Sequence, residues 1–253
     1  MLSKKPWQLE YVLMFFGALV LSLCLAGILA MALHHGQVAG FQNDDDFGFV
    51  LCGTLGLQGA TWILIPVFLK LHQTGWREAF GLNRPGWGRS LVLAVGTLAL
   101  ALPVVLLLQS LCVTMLTHFG HPPDNQRAVE MFLAAKTVWA RSYFAFFAIV
   151  LAPVAEEFIF RGVLYPFIKQ QGWPRAAFIG VSALFAFIHF DAATFIPLFA
   201  LALVLTWIYE KTDCLLASIT AHSLFNTTNV VVLYFMPQIN DWLQHTAQTR
   251  LPQ

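Results

Sequence analysis

Charge is scarce in this chain. Only 11% of its 253 residues are Asp, Glu, Lys or Arg, against about a quarter in a water-soluble domain, which excludes an ordinary soluble globular protein. Neither sign dominates: 14 basic residues face 13 acidic ones, and the net charge is +1. No basic stripe is interleaved with aromatics, so a nucleic-acid partner is not expected. Cysteine is sparse too. Cys24, Cys52, Cys112 and Cys214 sit in apolar runs without CxxC spacing and read as small buried hydrophobes rather than a metal or redox site. There is no internal repeat and no low-complexity tract. Alternation of apolar and polar residues is also missing, which excludes a transmembrane β-barrel. Apolar residues, by contrast, make up 58% of the chain, with a mean hydropathy of +0.69. That is ample surface to bury, so the chain is not disordered. A spanning helix takes about 20 apolar residues, so this length allows at most about eight spans. The expectation is one integral membrane domain over 1–253, all-α because unpaired backbone is not tolerated in lipid, built as a polytopic bundle of seven to eight helices.

Seven apolar runs divide the chain, at about 11–33, 47–70, 90–117, 142–168, 176–190, 193–209 and 214–235. The first run is too long for a signal-peptide core and lacks a small-residue cleavage site, so it reads as a retained span. Between the runs lie an acidic loop (Asn43 to Asp46), a basic Gly/Pro/Trp-rich segment over 71–89, and a loop with His121-Pro122-Pro123-Asp124. The 71–89 segment, with Trp76 and Trp87, reads either as lying on the inner membrane surface or as a plain loop with interfacial anchors. Lys/Arg bias sets orientation. With the N-terminus inside, Lys4, Lys5, Lys70, Arg77, Arg84, Arg89, Lys169, Arg175 and Lys211 fall on the inner side. Arg127, Lys136, Arg141 and Arg250 fall on the outer side. Nine against four predicts a cytoplasmic N-terminus. The expected location is a bacterial plasma (inner) membrane.

Ionisable residues within the apolar runs are the informative ones, because a carboxylate at the bilayer centre costs at least about 2.5–3.5 kcal/mol. Glu156 and Glu157 are adjacent in the fourth run. Arg161 lies four residues after Glu157, on the same helical face, and a Glu157–Arg161 pair would neutralise both groups. Glu156 is rotated about 100° away. On that spacing one residue does not easily serve both carboxylates, and Glu156 is left as the freer acid. Pro153, three residues earlier, removes a helix hydrogen bond and is expected to free a carbonyl near the pair. His189 ends the fifth run, and His222 lies well inside the seventh with Asn226 one turn on. At 1.5 Å per residue, Glu156 and His189 lie about 20 Å, His222 about 12 Å and Asn226 about 18 Å from the inner ends of their helices. Three helices therefore carry a carboxylate, two imidazoles and an amide to similar depth. His34, His35, His72, His118, His121 and His245 fall at span ends, in loops or in the tail and read as interfacial.

Taken alone, each feature has a structural explanation: a neutralising ion pair, a packing kink, a helix-end histidine, interhelical hydrogen-bond glue. Together they suit water activation on a carbonyl. Glu156 would act as general base on a water also held by His189, and His222 with Asn226 would offer N–H donors to the oxyanion. A serine nucleophile is not indicated, since GxSxG is absent and Ser182, Ser218 and Ser223 lack an obvious base. HExxH is absent as well. A three-ligand zinc site from Glu156, His189 and His222 stays open, so the spacing leaves metal-free and metal-assisted hydrolysis as alternatives. Two further readings use the same residues: a non-catalytic immunity or scaffold protein, and a proton-relay transporter. The transporter is disfavoured by the lack of paired broken helices.

Glu156-Glu157-Phe158-Ile159-Phe160-Arg161 resembles the EExxxR motif of the CPBP family of intramembrane proteases, which includes the type II CAAX prenyl endopeptidases and the Abi proteins. Phe185 to His189 is similar to that family's FxxxH motif, and His222 to Asn226 to its HxxxN motif. All three occur in order on separate runs, within about 140–235, whereas the spans at about 11–117 carry none. The resemblance implies an all-helical membrane endopeptidase of about eight spans. It implies Glu156 as the water-activating base, His189 as a water ligand, His222 and Asn226 as the oxyanion site, and Glu157 and Arg161 in support. It also implies a peptide or protein substrate in the bilayer. In the eukaryotic branch of the family that substrate is a prenylated CAAX protein. A bacteriocin leader or another membrane peptide fits these residues equally.

Overall fold

The computed structural model describes residues 2–42, 47–82, 86–123, 127–135 and 137–250, with the backbone alone at 127, 128 and 236–250. The acidic loop Asn43 to Asp46, Arg84, Asp124 and Lys136 lie outside the described residues, as do the side chains of Arg127, His245 and Arg250. Every regular element described is helical. In chain order they are α1 (Leu9–His35), α2 (Phe47–Leu71), α3 (Trp76–Ala79), α4 (Trp87–His118), α5 (Arg127–Ala134), α6 (Val138–Gln170), α7 (Pro174–Phe187), α8 (Ala192–Thr212) and α9 (Leu215–Arg250). Five of them, α1, α2, α4, α6 and α8, are long and apolar enough to cross a membrane. The chain is an integral membrane protein, and the polytopic helical bundle expected from its composition is what it forms.

Local chemistry sets the boundaries. Asp191 caps α8, its Oδ1 accepting from Ala193 N at 2.8 Å, and α8 ends at Asp213 in the left-handed conformation. Pro174 opens α7, where its missing N–H costs nothing. With 14 residues, α7 is only about 21 Å long, too short to cross unaided. The turn after it returns the chain at once into α8.

The interior is built on small residues. Ala94 of α4, Ala177 of α7, Ala202 of α8, and Ala217 and Ala221 of α9 have no exposed surface. Small side chains let helix backbones approach closely where the hydrophobic effect cannot drive association. α8 packs chiefly against α4 and α7, and α9 against α4, α8 and α6. Two apolar clusters result. One joins Trp7, Phe15, Phe68, Phe80, Phe158 and Phe185. The other joins Ala94, Leu98, Leu201, Leu205, Ala221 and Phe225.

The start of the chain crosses one end of the bundle as an extended strap. Ser3 N donates to Asp213 Oδ2 at 2.9 Å, Lys5 N to Gln170 Oε1 at 3.1 Å, and Gln8 N to His72 Nε2 at 2.9 Å. Lys5 Nζ pairs with Asp213 Oδ1 at 2.9 Å, with both side chains buried. These contacts place residues 3–8, 72, 170 and 213 at the same end, as alternating crossings require. The basic 71–89 segment tucks under that end. Phe80 has no exposed surface, and its carbonyl accepts from Leu215 N at 3.0 Å. Gly81 is at φ +70°, and a Cβ there would lie 1.7 Å from the Asp213 carbonyl oxygen, so only glycine fits.

Candidate active site

The helix that carries the two glutamates is not regular. Within α6, π-helical turns run over Phe147–Leu151 and Phe158–Leu164, and they flank Glu156 and Glu157. Such turns widen a helix and recur at functional sites. The first one explains the carbonyl that Pro153 was expected to free. Ala152 N–H donates five residues back, to the Phe147 carbonyl. In that register the next acceptor, Ala148, would be answered by residue 153, and proline has no N–H. Asn226 Nδ2 answers it instead, donating to Ala148 O at 2.7 Å.

Glu157 is the hub. It has no exposed surface, and each of its oxygens accepts at least one hydrogen bond. Oε1 takes Arg161 Nη1 at 2.8 Å and His222 Nδ1 at 3.0 Å, and Oε2 takes Ser218 Oγ at 2.5 Å. Three contacts on one carboxylate satisfy both of its oxygens. The Arg161 pairing is the one its spacing implied. Arg161, also without exposed surface, spends its other nitrogens on α8: Nη2 reaches Ala202 O at 3.1 Å and Nε reaches Thr206 Oγ1 at 3.4 Å. Its guanidinium lies 4.6 Å from the centre of the Phe185 ring. A buried ion pair is tolerated only when its remaining polar atoms are satisfied in this way.

One expectation from helical rotation is corrected. A single residue does serve both glutamates, because an imidazole has two nitrogens on opposite edges. His222 Nδ1 contacts Glu157, and its Nε2 lies 3.8 Å from Glu156 Oε2. At 3.8 Å the second contact is longer than a hydrogen bond. The Glu156 side chain retains 13% exposure, and this is the freer carboxylate of the two.

His189 is half-buried at the end of α7, just before Phe190 in the left-handed conformation (φ 49°). Its Nδ1 sits 2.7 Å from the Phe185 carbonyl, which fixes the proton on Nδ1 and leaves Nε2 as an acceptor. The Phe185 ring lies 5.0 Å from the His189 ring and 5.6 Å from the His222 ring. The structure thus joins Glu156, Glu157, Arg161 and His222 directly. It brings His189 to them across Phe185, and it ties Asn226 to the backbone of α6. Sequence reading passed over Ser218 and Thr206 as parts of this cluster, and marked Phe185 only as the first residue of the motif that ends at His189. The signal for Ser218 was present: it precedes His222 by four residues and Asn226 by eight, along one face of α9.

The Nδ1 atoms of His189 and His222 are held by the Phe185 carbonyl and the Glu157 carboxylate, which leaves the Nε2 edge of each ring for a water or another ligand. Among the described residues, no three His, Cys, Asp or Glu side chains are grouped to hold an ion.

Residues 138–228 match the family described as type II CAAX prenyl endopeptidase Rce1-like. The matched stretch covers most of α6 and reaches the motif on α9, and it contains every residue of the cluster above. The similarity is to a group of membrane proteases of the CAAX type, over this stretch of the chain. Two curated proteins of Lactococcus lactis subsp. lactis (strain IL1403) are similar to it. UPF0177 protein YaiF is 32% identical over 117 residues, covering 44% of this chain and 49% of the relative. UPF0177 protein YxdF is 30% identical over 78 residues, covering 30% and 42%. The chain therefore spans half or less of the length of these curated relatives. No solved structure matches it.

Proposed function

We propose that this protein is an intramembrane endopeptidase in which Glu156 activates water. The observation that carries the proposal is the line Glu156–His222–Glu157–Arg161, which sets the freer, partly exposed carboxylate beside a buried, fully bonded ion pair. The ion pair fixes His222, and His222 faces Glu156 with its free nitrogen.

Water held by Glu156 and the Nε2 acceptor of His189 attacks the peptide carbonyl. Glu156 takes its proton, and a C–O bond forms as the carbonyl π pair moves onto oxygen. Held by Glu157 at Nδ1, His222 presents its Nε2 edge to the carbonyl oxygen. Nε2–H of His222 then donates to the oxyanion, together with the Asn226 amide hydrogen not spent on Ala148. The C–N bond breaks as the oxyanion collapses, and Glu156 returns its proton to the leaving amine. The proton taken from water thus passes through Glu156 to the leaving amine, and the products are a carboxylic acid and an amine. The substrate is a membrane-associated peptide or protein cleaved near its C-terminus, in the CAAX-type manner that the family match supports. The location that fits is the plasma (inner) membrane of a bacterium, with the strap end cytoplasmic, as the Lys/Arg distribution supports.

The test is cleavage of a membrane-peptide library co-reconstituted with the purified protein. Wild type is expected to cut, and Glu156→Ala and His189→Ala are not. A wild type that cuts nothing, yet confers a phenotype that Glu156→Ala retains, overturns the proposal in favour of a scaffold or immunity protein. Proton uptake lost in Glu156→Gln without any proteolysis overturns it in favour of a relay.

A further inference from the structure

The second π-helical turn of α6, Phe158–Leu164, carries Arg161 and is followed by Pro166. The wide turn closes with Tyr165 N–H donating five residues back to the Phe160 carbonyl, so the helix returns to its ordinary register at Pro166, which has no N–H to offer Arg161 in the wide register or Gly162 in the ordinary one. The donor comes from the far end of the sequence: Trp7 Nε1 bonds Gly162 O at 2.9 Å. Trp7 is 7% exposed and is clamped between Phe68 and His72, with ring centres at 4.8 and 5.0 Å. The strap on both sides of it is pinned through Lys5 to Asp213 and through Gln8 to His72. The helix wall opposite is equally tight, since a Cβ on Gly162 would lie 3.0 Å from the Phe80 ring. Gly162 is therefore held on two sides, directly beside the arginine that neutralises Glu157.

We propose that Trp7 is a positioning residue of the hydrolytic site, an inference that rests on the function proposed above. Its indole N–H caps the carbonyl that Pro166 leaves unanswered and so fixes the wide turn of α6. The turn aims Arg161 at Glu157, Glu157 orients His222, and His222 faces Glu156. The N-terminal strap is part of the site's scaffold, although it touches no reacting group. The same device appears one π-turn earlier, where Asn226 answers the Ala148 carbonyl ahead of Pro153. A side chain from elsewhere in the chain thus completes each of the two wide turns that flank the glutamates.

The test exploits the proline. Wild type, Trp7→Phe, Pro166→Ala and the double variant are compared as full chains in proteoliposomes, on a single-span synthetic peptide that wild type cleaves. Phenylalanine in place of Trp7 keeps an aromatic ring in the clamp and removes the donor. Alanine in place of Pro166 restores a backbone N–H to the Gly162 carbonyl. Trp7→Phe is expected to lower kcat roughly tenfold with KM within about twofold, the signature of a misaligned site. Pro166→Ala alone is expected within about twofold of wild type. The double variant is expected to return to the Pro166→Ala rate, because the missing donor is supplied from within the helix. A merely structural tryptophan would give no such rescue. Trp7→Phe at the wild-type rate, or a double variant as slow as Trp7→Phe, overturns the inference and leaves the proposed function standing. If Trp7→Phe alone fails to fold, the double variant decides: a folded, active double supports the inference, and an unfolded or slow one overturns it. A wild type that cleaves no peptide overturns the proposed function, and this inference with it.

Discussion

His222 Nδ1 lies 3.0 Å from Glu157 Oε1, so an imidazole on α9 is bonded to the carboxylate that α6 also pairs with Arg161. The bond locks the ring, decides which nitrogen is left free, and aims that nitrogen at Glu156. Adjacent glutamates thereby acquire different duties. Glu157 is consumed by structure, and in the proposed mechanism Glu156 is left for chemistry.

The two glutamates should respond oppositely to substitution. Glu157→Ala leaves the buried Arg161 guanidinium without its counter-ion, a loss of about 3–5 kcal/mol. A sharp fall in folded yield and in detergent melting temperature is expected. Glu156→Gln removes no buried pair and should melt within about a degree of wild type. Thermal unfolding of both variants checks the contrast, and equal destabilisation would contradict it.

Ser218 offers a milder test of the hub. Ser218→Ala removes the donor to Glu157 Oε2 and leaves a buried acceptor unanswered, for about 1–3 kcal/mol. The melting temperature should drop and the activity should fall only several-fold, because Arg161 and His222 still hold the other oxygen. Abolished activity in a folded Ser218→Ala would instead make Ser218 a reacting group.

The strap should confer a pH dependence on stability. Burial raises the Asp213 carboxyl, but hydrogen bonds from Ser3 and Lys5 and the Lys5 charge outweigh it and hold the group below its ordinary value of 3.8. A depressed carboxylate contributes stability that is fully present above its unfolded pKa and is lost as pH falls through the folded one. The melting-temperature gap between wild type and Asp213→Asn should therefore be constant from pH 7 to about 5 and close below about pH 4. A gap that widens on acidification would contradict the assignment.

Metal removal provides a fourth test. Activity should survive chelation and dialysis into metal-free buffer, because Glu156 and the two imidazoles suffice to hold and deprotonate water. Loss that stoichiometric zinc restores would contradict the metal-free mechanism.

Much of this was legible in the sequence, and the exceptions have physical causes. Apolar runs marked the five long spans to within a few residues because bilayer thickness sets their length, whereas the run at about 214–235 stopped short of α9, which continues to Arg250. The four-residue spacing of Glu157 and Arg161 was sufficient to pair them, since a helix places those positions on one face. Rotation about the helix axis misled for His222, because it counts positions and ignores that a ring on another helix can present two edges. Pro153 announced a freed carbonyl, but not which one: the π-turn shifts the acceptor from four residues back to five, onto Ala148. Trp7 gave no signal at all. Its proposed role depends on the Gly162 carbonyl lying beside it in space, 155 residues along the chain.

The most direct test of the central claim is kcat of Glu156→Gln on a peptide that wild type cleaves, measured beside its melting temperature. Glutamine keeps the size and the contact with His222 and cannot take a proton. A loss of about a hundredfold or more, with the melting temperature unchanged, is the predicted result. Cleavage by folded Glu156→Gln at the wild-type rate would contradict the account.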